Sequence, residues 1–222
     1  EFKDALKKQI IYHYDMIRTG YNLMQSIHMN RFPVIFASMV TKGCVESGKS
    51  VQHGGALYST DGLYVTGAAN LADCIVAVEK CVFQDKDVSM DELIKACDCN
   101  FEGYERLRQL LLKKPEKYGN NQKHVDEVYK EMMTYIAETV QQWPDARGGY
   151  YAFGIDSQTM NIPHGLVTGA LPDGRLAGEP FCDASSPMMG RDIFCLKRIP
   201  IRTKTHLPAR KPLRRRPIRT TR

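Results

Sequence analysis

The chain has 222 residues, a length that suits one compact domain or two small ones. No run approaches the roughly 18 uninterrupted apolar residues of a membrane-spanning helix, so we expect no membrane segment. The net charge of +6 comes from the tail, because residues 197–222 hold 11 of the 31 basic residues and no acidic one. The preceding body has 20 basic and 25 acidic residues, a net charge of −5, so overall basicity says nothing about its ligand.

The first predicted element is a long helix over residues 3–29. Apolar side chains recur there at steps of three and four, at Leu6, Ile10, Tyr14, Ile17, Tyr21 and Met24. This amphipathic start resembles neither a signal peptide nor an anchor, and because it lacks methionine we expect a cut from a longer chain. The apolar run PVIFASMV at 33–40 predicts a buried strand. Residues 51–70 contain four glycines and predict loop or strand.

Three more helical patterns follow, at 69–83, 89–114 and 124–143. Ser89, with Glu92 three residues later, has the pattern of a capping box. Glycine-rich sequence then predicts short strands and loops up to Asp192, with a turn at 172–174. The fold class is therefore α/β, with one domain at 1–192 and a basic tail at 193–222 that we predict to be disordered. The tail has the composition of a nucleic-acid-binding arm, although we favour an abnormal, out-of-frame terminus.

Seven cysteines lie at 44, 74, 81, 97, 99, 182 and 195. Their odd number and the lack of paired C-x-x-C spacing argue against a disulfide framework and favour a reducing cytoplasm. Cys97 and Cys99 have no second cysteine or histidine pair near them, so no metal site is predicted there.

Residues 43–50, GCVESGKS, match the phosphate-binding pattern G-x-x-x-x-G-K-[ST]. That loop needs a helix starting at its Lys-Ser pair, and the glycines at 54 and 55 oppose one. The other interpretation is a thiol with a carboxylate. Cys44 and Glu46 would share a face in an extended loop, where such a pair can join hydrogen or acyl transfer with proton removal. Taken alone, the pair favours a structural role, because most neighbouring Cys and Glu residues are structural.

Three stretches resemble the glycyl radical enzymes, the pyruvate formate-lyase superfamily, and they occur in that family's order over residues 1–192. They are GCVES before HGGALY, then KYGNNQKHVDE, and the segment from RGGYYAFG through LPDGRLAGEP to SSPMMGRD. The resemblance implies a partial ten-stranded α/β barrel wrapped by helices, with the cysteine loop reaching its centre. It also implies that Cys44 relays hydrogen atoms and that Glu46 acts as a base. Gly43 replaces the first of two adjacent cysteines in pyruvate formate-lyase, which favours a lyase or dehydratase.

The intact parent implied by this resemblance is a cytoplasmic, anaerobic homodimer that acts on a small-molecule substrate. It binds no cofactor but carries a glycyl radical, installed by an activating iron–sulfur enzyme that uses S-adenosylmethionine. The family's radical motif, R-V-x-G-[YF], is missing here. Residues 147–150 resemble it but are one residue short and precede the LPDGR segment, so we expect this chain to be inactive alone.

Two alternatives remain open, a formate C-acetyltransferase-like enzyme and a non-enzymatic binding protein whose basic tail contacts nucleic acid. Among the other polar residues, Asp173 and Arg175 are predicted to hold a turn, and His53 and His164 to be structural. Asn120 is predicted to cap a helix. Because the chain would supply only part of a barrel, we also expect an uncovered apolar face.

Overall fold

The computed structural model describes residues 1–193, and the tail from residue 194 lies outside the described residues. The helices are α1 (Phe2–Arg31), α2 (Ile35–Val40), α3 (Cys44–Ser47), α4 (Ala68–Val78), α5 (Met90–Asp98), α6 (Glu105–Lys113), α7 (Lys123–Val140) and α8 (Asn161–Leu166). The strands are β1 (Thr60–Val65) and β2 (Tyr150–Ile155). A 3-10 turn at Val51–His53 and a π-helical turn at Glu79–Gln84 complete the elements. Within the described part, none of the helices has the length and apolarity that a bilayer crossing requires.

The main core lies where α4 and α7 pack against each other and against the two strands. Helix α4 has an almost wholly buried surface, and α7 contributes Val125, Met132, Ile136 and Val140, each no more than 1% exposed. These α7 residues follow the three- and four-residue spacing of one helix face, so the predicted amphipathic helix is confirmed. A second cluster joins the π-helical turn to α5 and α6.

The two strands form a parallel pair, in which Thr60 lies opposite Tyr150 and Val65 opposite Ile155. Parallel neighbours need a crossover connection, and α4 to α7 provide it here. The mixed, helix-rich α/β class predicted from the sequence is confirmed by this arrangement. The ten-stranded barrel is not, because the described residues contribute this one two-stranded sheet.

Helix α1 confirms the first predicted helix, and its apolar side chains pack against the core mainly in its N-terminal half. Leu6 and Ile10 pack against the main core, and the hydroxyl of buried Tyr14 donates to the carbonyl oxygen of Tyr64 at 3.3 Å. Further along, Ile17 and Met24 are half exposed. The apolar stripe of α1 therefore extends beyond the surface that the described residues cover.

The predicted strand at 33–40 is wrong, because residues 35–40 form helix α2. A short apolar run does not by itself distinguish strand from helix, and a strand requires a partner, whereas a helix satisfies its own backbone. The two described strands pair with each other and leave this run without a partner. Side chains on α2 are largely exposed, including Ile35, Phe36 and Met39. The predicted helix at 89–114 is two helices, separated by a turn that contains Gly103 at φ 77°.

Candidate functional site

The GCVESGKS segment is a closed loop around a single helical turn. Gly43 has φ 98°, a left-handed conformation, and begins the turn Cys44–Ser47. A β-carbon at Gly43 would lie 2.6 Å from the amide nitrogen of Leu57, so only glycine fits this approach. The amide of Leu57 donates to the carbonyl of Lys42 at 2.9 Å and closes the loop. This packing leaves Cys44 only 3% exposed.

A shallow, open depression of about 190 Å³ lies beside Cys44. One wall is α2, which contributes Ile35, Ser38 and Met39; the other is the loop itself, with Val45 and Lys49. The walls of this depression are mostly apolar. Cys44 is thus one of the residues that line this depression.

Glu46 does not face Cys44 in this structure. The helical turn separates residues two apart by about 200°, so Cys44 points inward and Glu46 lies exposed. The Glu46 carboxylate instead accepts the Gly43 N–H at 2.9 Å and caps the turn. The prediction that both side chains share a face of an extended loop is therefore wrong, because the segment is helical.

The geometry of Lys49 and Ser50 differs from that of a phosphate-binding loop. Only a three-residue 3-10 turn follows these residues. The Ser50 hydroxyl caps that turn by accepting the His53 N–H at 3.3 Å. The His53 ring hydrogen-bonds the same hydroxyl at 2.9 Å, so His53 has a local structural contact. Gly55 packs directly against the Lys49 carbonyl. The helix N-terminus that cradles phosphates is not formed here.

The segment that resembled the radical motif is a turn entering β2. The Arg147 guanidinium pairs with the Asp61 carboxylate and donates to the Thr60 carbonyl at 3.1 Å. The Asp145 carboxylate accepts the amides of Arg147 and Gly149 at 2.9 and 2.6 Å. These contacts give the segment a structural role at the start of the sheet.

A buried polar cluster, which the sequence did not predict, is centred on Asp173. Asp173, fully buried, accepts from Asn70 Nδ2 at 2.8 Å, from Arg191 Nη1 at 2.7 Å and from the Arg175 amide at 2.9 Å. The same Arg191 nitrogen lies 3.4 Å from the Asp73 carboxylate. One feature of the sequence could have indicated this cluster, namely the polar residues within the otherwise apolar helix α4. A polar side chain on a buried helix needs a buried hydrogen-bonding partner.

Burial shifts the pKa values of several groups around this cluster. Desolvation raises the pKa of Asp73 to about 6, although nearby Lys117 opposes the shift. It also lowers the pKa of Lys117 and raises that of the Cys74 thiol well above its usual range. A thiol held protonated in this way is a poor nucleophile, so Cys74 has a packing role.

Asp173 confirms its predicted turn-holding role, because its carboxylate accepts the Arg175 amide at 2.9 Å, whereas the Arg175 side chain binds backbone outside that turn. The fully buried Arg175 guanidinium donates to the carbonyls of Gly165 at 2.6 Å and Gly169 at 2.8 Å, and to that of Glu179. It also lies 4.4 Å from the ring centroid of Phe181. The Leu171 carbonyl accepts the Gly174 amide at 3.0 Å, which confirms the predicted turn.

Two further predictions concern Asn120 and His164. Asn120 does not cap α7; its side chain instead binds the carbonyl of Arg191 at 2.9 Å and the amide of Ile193 at 2.6 Å. It therefore holds the chain after the SSPMMGRD segment. His164 lies exposed on α8, and its backbone carbonyl accepts the Thr168 hydroxyl at 2.7 Å.

A family model described as pyruvate formate lyase-like matches residues 1–165. The chain therefore belongs to the pyruvate formate lyase-like family, as its motifs predicted. It is 35% identical over 192 residues to trans-4-hydroxy-L-proline dehydratase of Clostridioides difficile. That match covers 86% of this chain and 24% of the dehydratase.

Solved structures agree with this assignment. The B12-independent glycerol dehydratase of Clostridium butyricum, bound to glycerol, superimposes with a TM-score of 0.82 at 34% identity, over 86% of this chain and 24% of that one. A glycyl radical enzyme from Archaeoglobus fulgidus gives a TM-score of 0.81 at 34% identity with the same coverage. The chain thus spans about a quarter of the length of the relatives it matches.

Proposed function

We propose that this chain is the thiol-bearing part of a glycyl radical lyase or dehydratase. The observation that carries the proposal is the Cys44 thiol, buried on a glycine-initiated turn and lining a depression, in a chain whose relatives include dehydratases. In this role Cys44 gives its hydrogen atom to the radical that the family carries on a glycine. It then removes a hydrogen atom from the substrate and returns one to the product. The thiyl radical left by this transfer then takes the hydrogen atom back from the glycine. That step restores both the thiol and the glycyl radical, so no net oxidation of Cys44 occurs.

Glu46 is proposed as the base that takes a proton from the substrate radical as the leaving group departs. Its carboxylate would first release the Gly43 amide, which it holds at 2.9 Å. Because Glu46 lies exposed, surrounding packing does not hold its side chain in that contact. Gly43, at the position of the first of the two adjacent cysteines in pyruvate formate-lyase, supports lyase chemistry over formate acetyltransferase chemistry.

The architecture of the whole protein is proposed to be the ten-stranded barrel, of which β1 and β2 are two neighbouring strands. Exposed apolar side chains on α2 and on the C-terminal half of α1 support this arrangement, because such a surface is normally buried in a complete protein. A homodimer in an anaerobic cytoplasm, activated by a radical S-adenosylmethionine enzyme and acting on a small molecule, completes the proposal.

A chimera tests this function. Residues 1–192 would replace the matching quarter of the Clostridioides difficile dehydratase, with anaerobic activation, product assay and electron paramagnetic resonance of the glycyl radical. We expect Cys44→Ala to keep the radical signal and lose turnover, and Glu46→Gln to reduce turnover by about 100-fold or more, the contribution typical of a general base. Cys99→Ser is the matched control and should retain activity. A fully active Cys44→Ala chimera would contradict the proposal.

A further inference from the structure

Two serine hydroxyls join the Cys44 loop to neighbouring backbone. The Ser47 hydroxyl lies 3.2 Å from the Gly55 carbonyl and 3.3 Å from the Cys44 carbonyl. Ser38, on α2, accepts the Val51 N–H at 3.1 Å. One serine therefore links the two limbs of the loop, and the other fastens the loop to the helix beside it.

The backbone between these contacts is tightly closed. The Gly55 amide donates to the Ser50 carbonyl at 2.9 Å, and a β-carbon on Gly55 would lie only 2.0 Å from the Lys49 carbonyl oxygen. The Lys49 amide donates to the Cys44 carbonyl at 3.1 Å. Opening of the loop therefore separates the serine contacts together with the backbone hydrogen bonds around them, as one local unit.

The closed loop also explains why a thiol beside an open depression is itself buried. Cys44 is 3% exposed, whereas its neighbour Val45 is 72% exposed. A reagent in solvent therefore reaches the depression but not the sulfur, until the loop moves. Shielding of this kind protects a reactive sulfur from side reactions with solvent species.

We propose that Ser47 and Ser38 are positioning residues that hold the Cys44 loop closed, so that the sulfur becomes accessible only when the loop opens. We call the Ser47 and Ser38 contacts the latch. Its importance for function rests on the proposed role of Cys44 as the reacting thiol. The latch itself is a property of the chain and is measurable without radical chemistry.

The test is alkylation of the 222-residue chain by N-ethylmaleimide under native conditions, with each cysteine followed by peptide mass spectrometry. We expect Cys44 to react at least 10-fold more slowly than in urea, as for a group that reacts through local opening. Ser47→Ala should speed Cys44 labelling by about five-fold, the effect of losing one hydrogen bond. Ser47→Thr keeps the hydroxyl and should restore the slow rate, and Ser38→Ala should also speed labelling.

The matched control is Ser89→Ala, which removes a hydroxyl contact to the Glu92 amide of similar length, 3.2 Å, on a different helix. It should leave Cys44 labelling unchanged. Cys81, which is 0% exposed in the second core cluster, serves as an internal probe, since its labelling reports opening of the core rather than of the loop. If Ser47→Ala speeds Cys81 labelling equally, the variant has unfolded and the Ser38→Ala arm decides the question.

Equal Cys44 rates in the wild type, Ser47→Ala and Ser38→Ala would overturn the latch, as would a native rate equal to that in urea. The two proposals can fail separately. A shielded Cys44 in an inactive chimera contradicts only the radical function, and a freely labelled Cys44 in an active chimera contradicts only the latch.

Discussion

Replacing Asp173 by asparagine should destabilise the chain strongly, although the shape of the side chain is preserved. The carboxylate accepts three hydrogen bonds at 2.7–2.9 Å, one of them from the Arg191 guanidinium, and has no exposed surface. Asparagine removes the negative charge and directs an amide donor at existing donors. Loss of one partner of a buried ion pair typically costs 3–5 kcal/mol. Because Asp73 remains 3.4 Å from Arg191, we expect the lower end, about 3 kcal/mol.

The measurement is equilibrium unfolding in urea, followed by circular dichroism. Asp15→Asn is the matched control, because Asp15 pairs with Arg18 at 2.6 Å on the exposed side of α1. Surface pairs contribute roughly 0–1 kcal/mol, so this control should change the free energy of unfolding little. If Asp173→Asn cost no more than Asp15→Asn, the reasoning that charge burial makes this cluster essential would be refuted.

Three further perturbations test other parts of the structure. Arg175→Lys leaves buried carbonyls without donors and should cost about 2–3 kcal/mol in urea unfolding; a loss below about 0.5 kcal/mol would contradict the contacts described. The pKa of Asp73 rises from 3.8 to about 6 on folding, so between these pH values the native state holds a proton that the unfolded chain has lost. The Asp73 carboxyl's contribution to the free energy of unfolding should therefore fall by about 3 kcal/mol as pH rises through that range. Asp73→Asn should make the free energy of unfolding depend less on pH. The same pH dependence in wild type and variant would contradict this burial of Asp73. Gly43→Ala and Gly48→Ala both impose left-handed strain of about 1–2 kcal/mol, but a β-carbon contacts neighbours only at Gly43. Gly43→Ala should therefore cost more and expose Cys44 to alkylation, and equal effects would show that the close approach to Leu57 is unimportant.

Much of the helical structure was predictable from residue order alone. The apolar spacing in α7 and the Ser89 cap of α5, whose hydroxyl accepts the Glu92 amide at 3.2 Å, depend on hydrogen bonds between near neighbours. The turn at LPDGR is equally local. The motif order that indicated the family also lies in the sequence, and through it the candidate thiol at Cys44.

Tertiary structure decided the features that depend on distant partners. Residues 35–40 became a helix because a strand needs a neighbour, and β1 and β2 are paired with each other within the described part. The local conformation of one turn directed Glu46 away from Cys44, which spacing in the sequence could not reveal. The Asn70–Asp173 contact joins residues that are 103 positions apart in the sequence. Burying these polar side chains is tolerated only because folding brings donor and acceptor together. Sequence patterns report such local periodicity directly, whereas the environment of a charge exists only once the chain has folded.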